Sequence, residues 1–329
     1  MAFDLITIGD TVIDTFVPLK DAQVTDISGT PHLSLPFGYK IPVDDPISFV
    51  GGNASNNAVG ASRLGLKTAI YTNVGKKDID ASDERIIAKL KKEGVNTRFV
   101  IHDPDLPTNH NIILNYKGER TILVHHHHWK FNLPDLDLTK WVYLTSLAPN
   151  FVDTNLIDQI LNYLERTKAK LAYQPGTFQI SLGAKKNGQL LSRTQFLIMN
   201  LEEAKKFLGY KDDEKIEIKK LLKKLADLGP KNVVITDGKN GSFCFDGENY
   251  YKLDVFPAEL VQKTGAGDAF ATATLAGLFY GNPLSEAIRW GTSNSASVIS
   301  AMGPQEGLLT LNKLKESLNK NPKIVAKKI

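Results

Sequence analysis

The residues best suited to chemistry lie near the C-terminal end of the chain, in the stretch 261–270. Gly265, Ala266 and Gly267 follow one another there. The next residue, Asp268, precedes a run of small and apolar residues that predicts a buried helix. Backbone N–H groups at a helix start have no partner within the helix, and the helix dipole favours negative charge there. The three small residues could therefore cradle a phosphoryl group, and Asp268 could take the proton of an attacking hydroxyl.

The same stretch also has a simpler structural interpretation. Glycines ease a tight turn, and Asp268 would then only cap the helix. A P-loop is excluded, because no Gly-Lys-Ser/Thr sequence follows at the required spacing. These few residues alone leave the two interpretations open, so the rest of the chain must decide between them.

Composition limits the class of protein. With 329 residues, 42% of them hydrophobic, the chain can bury a full core. The net charge of +4 is modest and spread out, so we expect no nucleic-acid partner. The single cysteine, Cys244, excludes an intramolecular disulfide. No apolar run approaches the roughly 18 residues of a membrane span, and no signal-peptide pattern opens the chain. We therefore expect a cytoplasmic protein without a membrane partner.

Short β-rich runs alternate with helical patterns along the chain. This alternation predicts an α/β fold with a doubly wound, mainly parallel sheet flanked by helices. The predicted strands are 3–8, 68–74, 141–145, 169–173, 196–199, 232–236 and 242–246. The predicted helices are 54–64, 81–93, 153–168, 201–208, 214–228, 266–280, 284–301 and 310–319. Ligands of such folds bind beyond the C-terminal ends of the strands.

Two regions interrupt this alternation. Residues 15–50 are rich in proline, glycine and turn residues, and residues 97–131 contain short β-like runs. We expect both segments to form a small β-strand lid that excludes water from the active site. Because no linker forces a boundary, residues 1–329 are predicted to form a single domain with the lid segments inserted.

A second glycine-containing motif spans residues 51–65, where asparagines cluster at the start of a predicted helix of small residues. In a structural interpretation Asn53 caps this helix and Asn56 satisfies buried backbone groups. Asparagine amides also suit neutral hydroxyls, since each amide both donates and accepts hydrogen bonds. Gly52 would leave room for a polyol to approach the backbone. Gly52, Asn53 and Asn56 are therefore candidate substrate-binding residues.

Asp14 lies just beyond the first predicted strand. A carboxylate at this point can accept hydrogen bonds from two adjacent hydroxyls, which makes Asp14 a further candidate for substrate binding. The structural alternative is a cap or a hinge of the lid. We assign a structural role to Asp10, which lies in the same loop.

Two other strand ends carry polar residues. Asn200 and Glu203 follow the strand 196–199 and match a capping box, yet the same pair could hold water around Mg²⁺. Thr236 and Gly238 end the strand 232–236. Their backbone and hydroxyl groups could contact a nucleotide, although a plain hairpin turn explains them equally well.

These motifs occur in the order found in the ribokinase-like (PfkB) family of carbohydrate and nucleoside kinases, which the chain resembles over essentially its whole length. Residues 51–65 are similar to the family's N-terminal signature, and residues 264–270 to its C-terminal signature. The resemblance implies the ribokinase-like fold. It also implies ATP-dependent transfer of the γ-phosphoryl group to a hydroxyl of a sugar or nucleoside, with Mg²⁺ as cofactor.

The resemblance further implies roles for individual residues. Asp268 would be the catalytic base. The anion hole would be formed by Gly265, Ala266 and Gly267. The contacts with substrate hydroxyls would come from Asp14, Gly52 and Asn56.

On the nucleotide side, Asn200 and Glu203 match the family's Asn-x-x-Glu motif. This match implies contacts with phosphate and with Mg²⁺, the latter through water at Glu203. Thr236, Gly238 and Asn294 fall at positions similar to those that line the nucleotide pocket. A homodimer that forms through the lid is a further possibility.

One departure from the family pattern concerns monovalent cations. The family often has Asp-Thr-Thr before Gly-Ala-Gly-Asp, and the leading aspartate helps to bind the cation in potassium-activated members. This chain has Gln262-Lys263-Thr264 instead. Gln262 supplies no charge and Lys263 adds a positive one, so we expect K⁺ to have little effect. Lys263 would either replace the cation or point into solvent.

The run His125–His128 suggests a metal site at first sight. Consecutive residues on a strand alternate between faces, so at most two of these side chains would converge. No well-spaced third ligand supports a metal site. We expect the run to close the lid strand and to extend towards substrate or solvent.

The sequence leaves the substrate open. His110, Tyr116 and Trp129 could stack on a base or form the small core of the lid. Arg98 and Arg120 are candidates for binding a phosphorylated sugar. A catalytically silent sugar- or nucleoside-binding protein is the alternative function, although the intact Asp268 argues against it. A Rossmann dehydrogenase is disfavoured, because no G-x-G-x-x-G follows the first strand.

Overall fold

The structure is a computed structural model that describes residues 2–77, 81–211 and 213–329. The strands are β1 (Phe3–Ile8), β2 (Val12–Pro18), β3 (Gln23–Ile27), β4 (Thr30–Ser34), β5 (Ile47–Gly51), β6 (Thr68–Gly75), β7 (Asn96–Asp103), β8 (His110–Tyr116), β9 (Glu119–Leu123), β10 (Thr139–Leu144), β11 (Lys170–Tyr173), β12 (Thr194–Asn200), β13 (Asn232–Thr236), β14 (Ser242–Phe245), β15 (Tyr250–Leu253) and β16 (Lys327–Lys328). The α-helices are α1 (Asn53–Arg63), α2 (Ser82–Lys92), α3 (Leu156–Thr167), α4 (Thr177–Ser181), α5 (Gly183–Lys186), α6 (Gly188–Arg193), α7 (Leu201–Phe207), α8 (Ile218–Ala226), α9 (Ala266–Phe279), α10 (Leu284–Ile299) and α11 (Leu311–Lys320). Short 3₁₀ helices occupy Pro149–Asp153 and Gly238–Asn240.

The described residues form one ten-stranded central sheet, in the order β16-β15-β14-β13-β12-β11-β10-β1-β6-β7. Neighbouring strands from β7 to β13 pair in parallel, and β14, β15 and β16 extend this sheet as antiparallel strands. The predicted mainly parallel sheet flanked by helices is therefore confirmed. All parallel strands end at the same edge, which brings their C-terminal loops together.

Helices cover both faces of this sheet, which explains the nearly continuous apolar runs of its strands. Leu5 of β1 packs in a core with Phe270 of α9 and Ile288 of α10. The next residue, Ile6, points to the other face, into a core with Ile160 of α3 and Leu221 of α8. All eight residues of β6 are buried in the same way. The alternation of the strand side chains thus builds two cores from one sheet.

The lid is a separate four-stranded sheet in the order β5-β2-β8-β9, and β3 and β4 form a two-stranded hairpin beside it. The predicted lid segment 15–50 matches most of the first half of this unit. The segment 97–131 begins too early, because β7 pairs in parallel with β6 in the central sheet. Only β8 and β9 of that segment belong to the lid sheet.

Several short elements depart from the predictions. Residues 177–193 form α4, α5 and α6, and β15 and β16 extend the sheet beyond β14, although the sequence predicts none of these elements. Helices of four to six residues contain too few turns to show a helical period. In the part of the chain that the structure describes, no helix has both the length and the apolar character that crossing a membrane requires.

Candidate active site

The carboxylate of Asp268 is the centre of the candidate site. Its Oδ1 accepts hydrogen bonds from Nδ2 of Asn53 at 2.7 Å and from Nε2 of Gln174 at 3.3 Å. Its Oδ2 accepts one from Nδ2 of Asn56 at 2.8 Å. The first turns of α1 and α9 therefore meet at this carboxylate, although more than 200 residues of sequence separate them. The two glycine-containing motifs predicted from the sequence form one site.

Small residues let α1 and α9 approach closely enough for these contacts. A Cβ on Gly60 of α1 would lie 3.0 Å from Cγ2 of Thr272 on α9. The Thr272 hydroxyl donates a hydrogen bond to Oδ1 of Asn57, one turn from the Asp268 contacts. Asn56 is fixed in turn by Gln305, whose Nε2 donates to its Oδ1 at 3.1 Å. The asparagines of the 51–65 motif thus align α1 against Asp268.

Burial raises the pKa of Asp268, because the ionised carboxylate is removed from water. The hydrogen bonds from Asn56, Asn53 and Gln174 act in the opposite direction, as does the charge of Arg120. Only 6% of the residue is exposed. A buried carboxylate with a raised pKa, held by amide donors, suits a group that must accept a proton during a reaction.

The two glycines before Asp268 serve different purposes. Gly265 has φ 83°, and a Cβ there would lie 2.6 Å from the carbonyl oxygen of Pro304, so backbone geometry requires glycine. A Cβ on Gly267 would meet nothing nearer than Nε2 of Gln174 at 4.0 Å. Among the described residues, the backbone N–H groups of Gly267 and Asp268 have no hydrogen-bond partner. Unpaired N–H groups at a helix start fit an anion cradle. The N–H of Ala266, by contrast, donates to the carbonyl oxygen of Lys263 at 3.4 Å.

Asp14 lies in β2 and is 5% exposed. Its Oδ1 accepts a hydrogen bond from Nδ2 of Asn111 on β8 at 3.0 Å. Burial raises the pKa of Asp14 to about 6, and the nearby charge of Asp268 raises it further, against the effects of Asn111 and Arg120. Asp14 and Asp268 are therefore close enough for their charges to interact.

The glycines at the start of α1 contact protein. A Cβ on Gly51 would lie 2.0 Å from Oδ2 of Asp14, so only glycine fits there. Gly52 has φ 90°, and its Cβ would lie 2.5 Å from the carbonyl oxygen of Asp10. Gly52 thus has a clear packing role, and its predicted contact with substrate stays a prediction.

Asn200 and Glu203 form the capping box of α7. The Asn200 N–H donates to Oε2 of Glu203 at 2.9 Å, and the Glu203 N–H donates to Oδ1 of Asn200 at 2.8 Å. Burial raises the pKa of Glu203, and the charge of Asp268 adds to this effect. The capping box that the sequence indicates is therefore present. Glu203 is also close enough to Asp268 for their charges to interact.

The remaining predicted nucleotide residues differ in accessibility. Thr236 ends β13, and Gly238 is exposed in the turn that leads to β14. Asn294 is 0% exposed. Its Nδ2 donates to the carbonyl of Ala269 and its Oδ1 accepts from the N–H of Leu309, both at 2.9 Å. This placement gives Asn294 a structural role between α9 and α10, and its predicted position at the nucleotide pocket stays a prediction.

Gln262 is buried in the loop before the cradle, and its side chain connects backbone groups of two loops. Its Nε2 donates to the carbonyl oxygens of Thr264, at 2.9 Å, and Gly303, at 3.4 Å. Its Oε1 accepts from the Thr264 N–H. Lys263 forms an ion pair with Glu119 at the start of β9. The loop before the cradle is therefore tied to the lid through Lys263.

The histidine run follows β9 and does not lie on a strand. His126 is half-buried: its Nδ1 lies 3.6 Å from Oδ2 of Asp10, and its ring meets Phe178 edge-on. Burial raises the pKa of Asp10 to about 8 and lowers that of His126. In the described ranges, no three His, Cys, Asp or Glu side chains are grouped as a metal site requires. The run joins the lid to the end of β1.

Three of the aromatic and basic candidates have structural partners. Trp129 is 2% exposed and packs in the core of the central sheet. Nε2 of His110 lies 2.7 Å from Oγ1 of Thr15. Arg98 of β7 forms an ion pair with Asp137. These contacts leave Arg120 as the basic candidate near the two site carboxylates.

Two side chains of the site are absent from the sequence predictions. Gln174 directly follows β11, so its place at a C-terminal strand end is the signal that could have identified it. Asn111 lies within β8, and its contact with Asp14 depends on the register between β2 and β8. That register is a tertiary feature without a local sequence signal.

Comparison with known proteins finds relatives that match most of the chain. The ATP-dependent 6-phosphofructokinase of Thermoanaerobacterium thermosaccharolyticum is 23% identical over 314 residues, which cover 92% of this chain and 89% of that protein. The 5-dehydro-2-deoxygluconokinase of Geobacillus thermodenitrificans is 26% identical over 317 residues, which cover 84% of this chain and 86% of that protein.

The structure also superposes on the solved structure of a known kinase. The nucleoside kinase of Methanocaldococcus jannaschii, an archaeal member of the ribokinase family, superposes with a TM-score of 0.76 at 21% identity, covering 96% of this chain and 98% of that one. The ribokinase-like fold predicted from the sequence is therefore confirmed. The profile of the pfkB family of carbohydrate kinases matches residues 16–311, so this chain belongs to that family.

Proposed function

We propose that this protein is an ATP-dependent kinase that transfers the γ-phosphoryl group to a hydroxyl of a sugar or nucleoside. The observation that carries the proposal is Asp268, a buried carboxylate beside the unpaired N–H groups of the helix start. The names of the similar proteins support it, since they include a 6-phosphofructokinase, a 5-dehydro-2-deoxygluconokinase and a nucleoside kinase. Action in the cytoplasm stays a prediction from the sequence.

The acceptor would bind between the lid and the start of α1. Asp14 and Asn111 lie on adjacent lid strands and are already hydrogen-bonded to each other. Asp14 can accept hydrogen bonds from two adjacent hydroxyls when it is ionised. Asn53 and Asn56 each donate one hydrogen bond to Asp268. Their amides can make further hydrogen bonds to substrate hydroxyls. This arrangement would present one acceptor hydroxyl to Asp268.

The nucleotide would bind at the other side of Asp268, near the ends of β12 and β13. Thr236 and Gly238 are accessible there. The carboxylate of Glu203 supplies oxygen atoms of the kind that Mg²⁺ prefers, and it would contact the ion through water. Bound Mg²⁺ would neutralise negative charge on the phosphate oxygens.

The residues of the chain contribute mainly by position and electrostatics. Asp268 accepts the proton of the attacking hydroxyl, and Asn53, Asn56 and Gln174 fix its orientation. The N–H groups of Gly267 and Asp268 stabilise negative charge at the transferred group. The lid excludes water, which would otherwise compete as an acceptor.

The alternative is a silent binding protein on the same fold. A panel of sugars, sugar phosphates, sugar acids and nucleosides, incubated with ATP and Mg²⁺, distinguishes the two functions. We expect ADP formation that depends on the acceptor, with a phosphomonoester product visible by ³¹P NMR. Binding of acceptors without ADP formation would support the silent binding protein instead.

We propose that K⁺ does not activate the enzyme. The Nε2 of Gln262 already donates to the carbonyl oxygens of Thr264 and Gly303, which would otherwise be free to coordinate a cation. Exchange of Na⁺ for K⁺ at constant ionic strength should leave turnover almost unchanged. A rise of about tenfold, which corresponds to ~1.4 kcal/mol, would contradict this expectation.

We also propose that the protein forms a homodimer through the lid. The lid strands expose Ile112 (43%) and Leu123 (52%), and the loop beyond the β3–β4 hairpin exposes Phe37 fully (101%). Ile112 and Leu123 are paired across β8 and β9, and exposed apolar patches of this kind are typical of an interface. Sedimentation equilibrium should give twice the monomer mass, and Leu123→Glu should give the monomer. A monomeric wild-type protein at micromolar concentration would contradict the proposal.

The role of Asp14 leads to a prediction with two readouts. Asp14→Asn should weaken acceptor binding by roughly 10- to 100-fold, because hydrogen bonds to an ionised group contribute about 1.5–3 kcal/mol. The KM for ATP should stay constant. In wild-type protein, acceptor affinity measured by calorimetry without nucleotide should fall as the pH decreases through about 6, the pKa of Asp14. Exposed Asp21→Asn is the control, and it should retain wild-type affinity.

The effect of Asp14 on the stability of the fold should have the opposite pH dependence to its effect on acceptor affinity. The pKa of Asp14 is raised from 3.8 when unfolded to about 6 when folded. Its contribution to stability is therefore fully present below pH 4 and is lost as the pH rises to about 6. Asp14→Asn should be as stable as wild type or more stable at pH 8. A lower melting temperature with unchanged acceptor affinity would identify Asp14 as a structural cap.

A further inference from the structure

Arg120 is the basic candidate near the site carboxylates, and the mechanism proposed above gives it no part. It lies in the outer lid strand β9. Its neighbour Glu119 forms an ion pair with Lys263, whereas Arg120 has no hydrogen-bond or ion-pair partner within the described ranges of the chain. Arg120 is exposed, so its guanidinium is open to a ligand beside the site.

The pairing of the lid strands places Arg120 on the face of the lid that carries Asp14. Residues directly opposite each other in neighbouring strands share a face, and every second residue along a strand returns to it. Asp14 is opposite Asn111 of β8. Four residues further along β8, Asn115 is opposite Arg120 of β9. Asp14, Asn111 and Arg120 are therefore on one face of the lid sheet.

The electrostatics agree with this placement. The charge of Arg120 lowers the pKa of Asp14 and that of Asp268, although burial dominates at both carboxylates. The guanidinium is thus within electrostatic reach of both carboxylates between which the acceptor would bind.

The nucleotide is a less suitable partner for this guanidinium. The strand ends with the proposed nucleotide contacts belong to β12 and β13, and β10 and β11 separate these strands from β1. The lid continues directly from β1 through β2. Arg120 therefore approaches the site from the acceptor side.

We propose that Arg120 binds an anionic group of the acceptor, so that the substrate is a sugar acid or a sugar phosphate. The planar fork of a guanidinium matches both carboxylate and phosphate oxygens, and it binds either group in a bidentate manner. Asp14 and Asp268 alone would repel an anionic acceptor, and Arg120 compensates for this repulsion. The proposal rests on the proposed kinase function and narrows its substrate class.

The experiment compares pairs of probes in which one member carries an anionic group at one end and the other carries a neutral hydroxyl there. Ribose is paired with ribose 5-phosphate, and glucitol is paired with gluconate, within a wider set of such pentose and hexose pairs. Binding to the full-length protein is measured by isothermal titration calorimetry without nucleotide, and ADP formation is measured separately. The phosphate and carboxylate pairs distinguish the two kinds of anion.

We expect at least one anionic probe to bind more tightly than its neutral counterpart. Arg120→Gln should weaken the binding of that anionic probe by roughly 10- to 100-fold. The affinity for the neutral counterpart and the KM for ATP should stay unchanged. Lys117→Gln is the matched control, because Lys117 is an exposed cation in the adjacent β8–β9 turn. It should retain wild-type affinity for both probes.

Three results would overturn the proposal: tighter or equal binding of the neutral probes, failure of every anionic probe to bind, or equal losses for charged and neutral probes in Arg120→Gln. A rise in the KM for ATP alone would assign Arg120 to the nucleotide and would also overturn it. Failure of the kinase function has a different signature. An anionic probe would then bind in an Arg120-dependent manner without ADP formation.

Discussion

The burial of one carboxylate at a helix start is the constraint on which the site depends. Asp268 is removed from water at the first turn of α9, and its ionised form is stabilised there by amide donors from α1 and from the end of β11. An unpaired buried carboxylate would take up a proton and could not act as the base that we propose. The close packing of α1 on α9 at Gly60 and Thr272 is therefore part of the chemistry of the site as well as of its core.

The same constraint explains why acidic groups at this edge influence one another. Asp10, Asp14, Glu203 and Asp268 all have raised pKa values, with burial as the main cause at each. The charge of Asp268 adds to the effect at Asp14 and Glu203. Carboxylates grouped in this way can accept hydrogen bonds from a neutral polyol. Because they repel phosphates and an anionic acceptor, binding of either group requires nearby cations. Mg²⁺ on the nucleotide side and Arg120 on the lid side would meet this need.

Much of the fold and the centre of the site could be predicted from local patterns. The glycines before Asp268 form one short motif, and the asparagines of α1 form another. Each motif lies at a predicted helix start, where unpaired backbone groups indicate a binding site. Features that depend on tertiary pairing could not be predicted. The β-like pattern of 96–103 does not show whether it pairs with β6 or with the lid, and the place of Asn294 depends on the packing of α9 against α10. Gly52 and Asn200 have clear structural partners, so their types alone do not distinguish packing from binding.

The most direct test of the account is the effect of Asp268→Asn on turnover and on binding in the same preparation. Asparagine keeps the shape of the side chain but cannot accept the proton, so kcat should fall by roughly 10²–10⁴-fold. Affinity for acceptor and nucleotide should stay close to that of wild type. The melting temperature should fall moderately, because the amide nitrogen cannot accept the hydrogen bond that one carboxylate oxygen accepts. The exposed control Asp254→Asn should retain both properties. Turnover of Asp268→Asn within about threefold of wild type, far below the loss expected for a positioned base, would contradict the central claim.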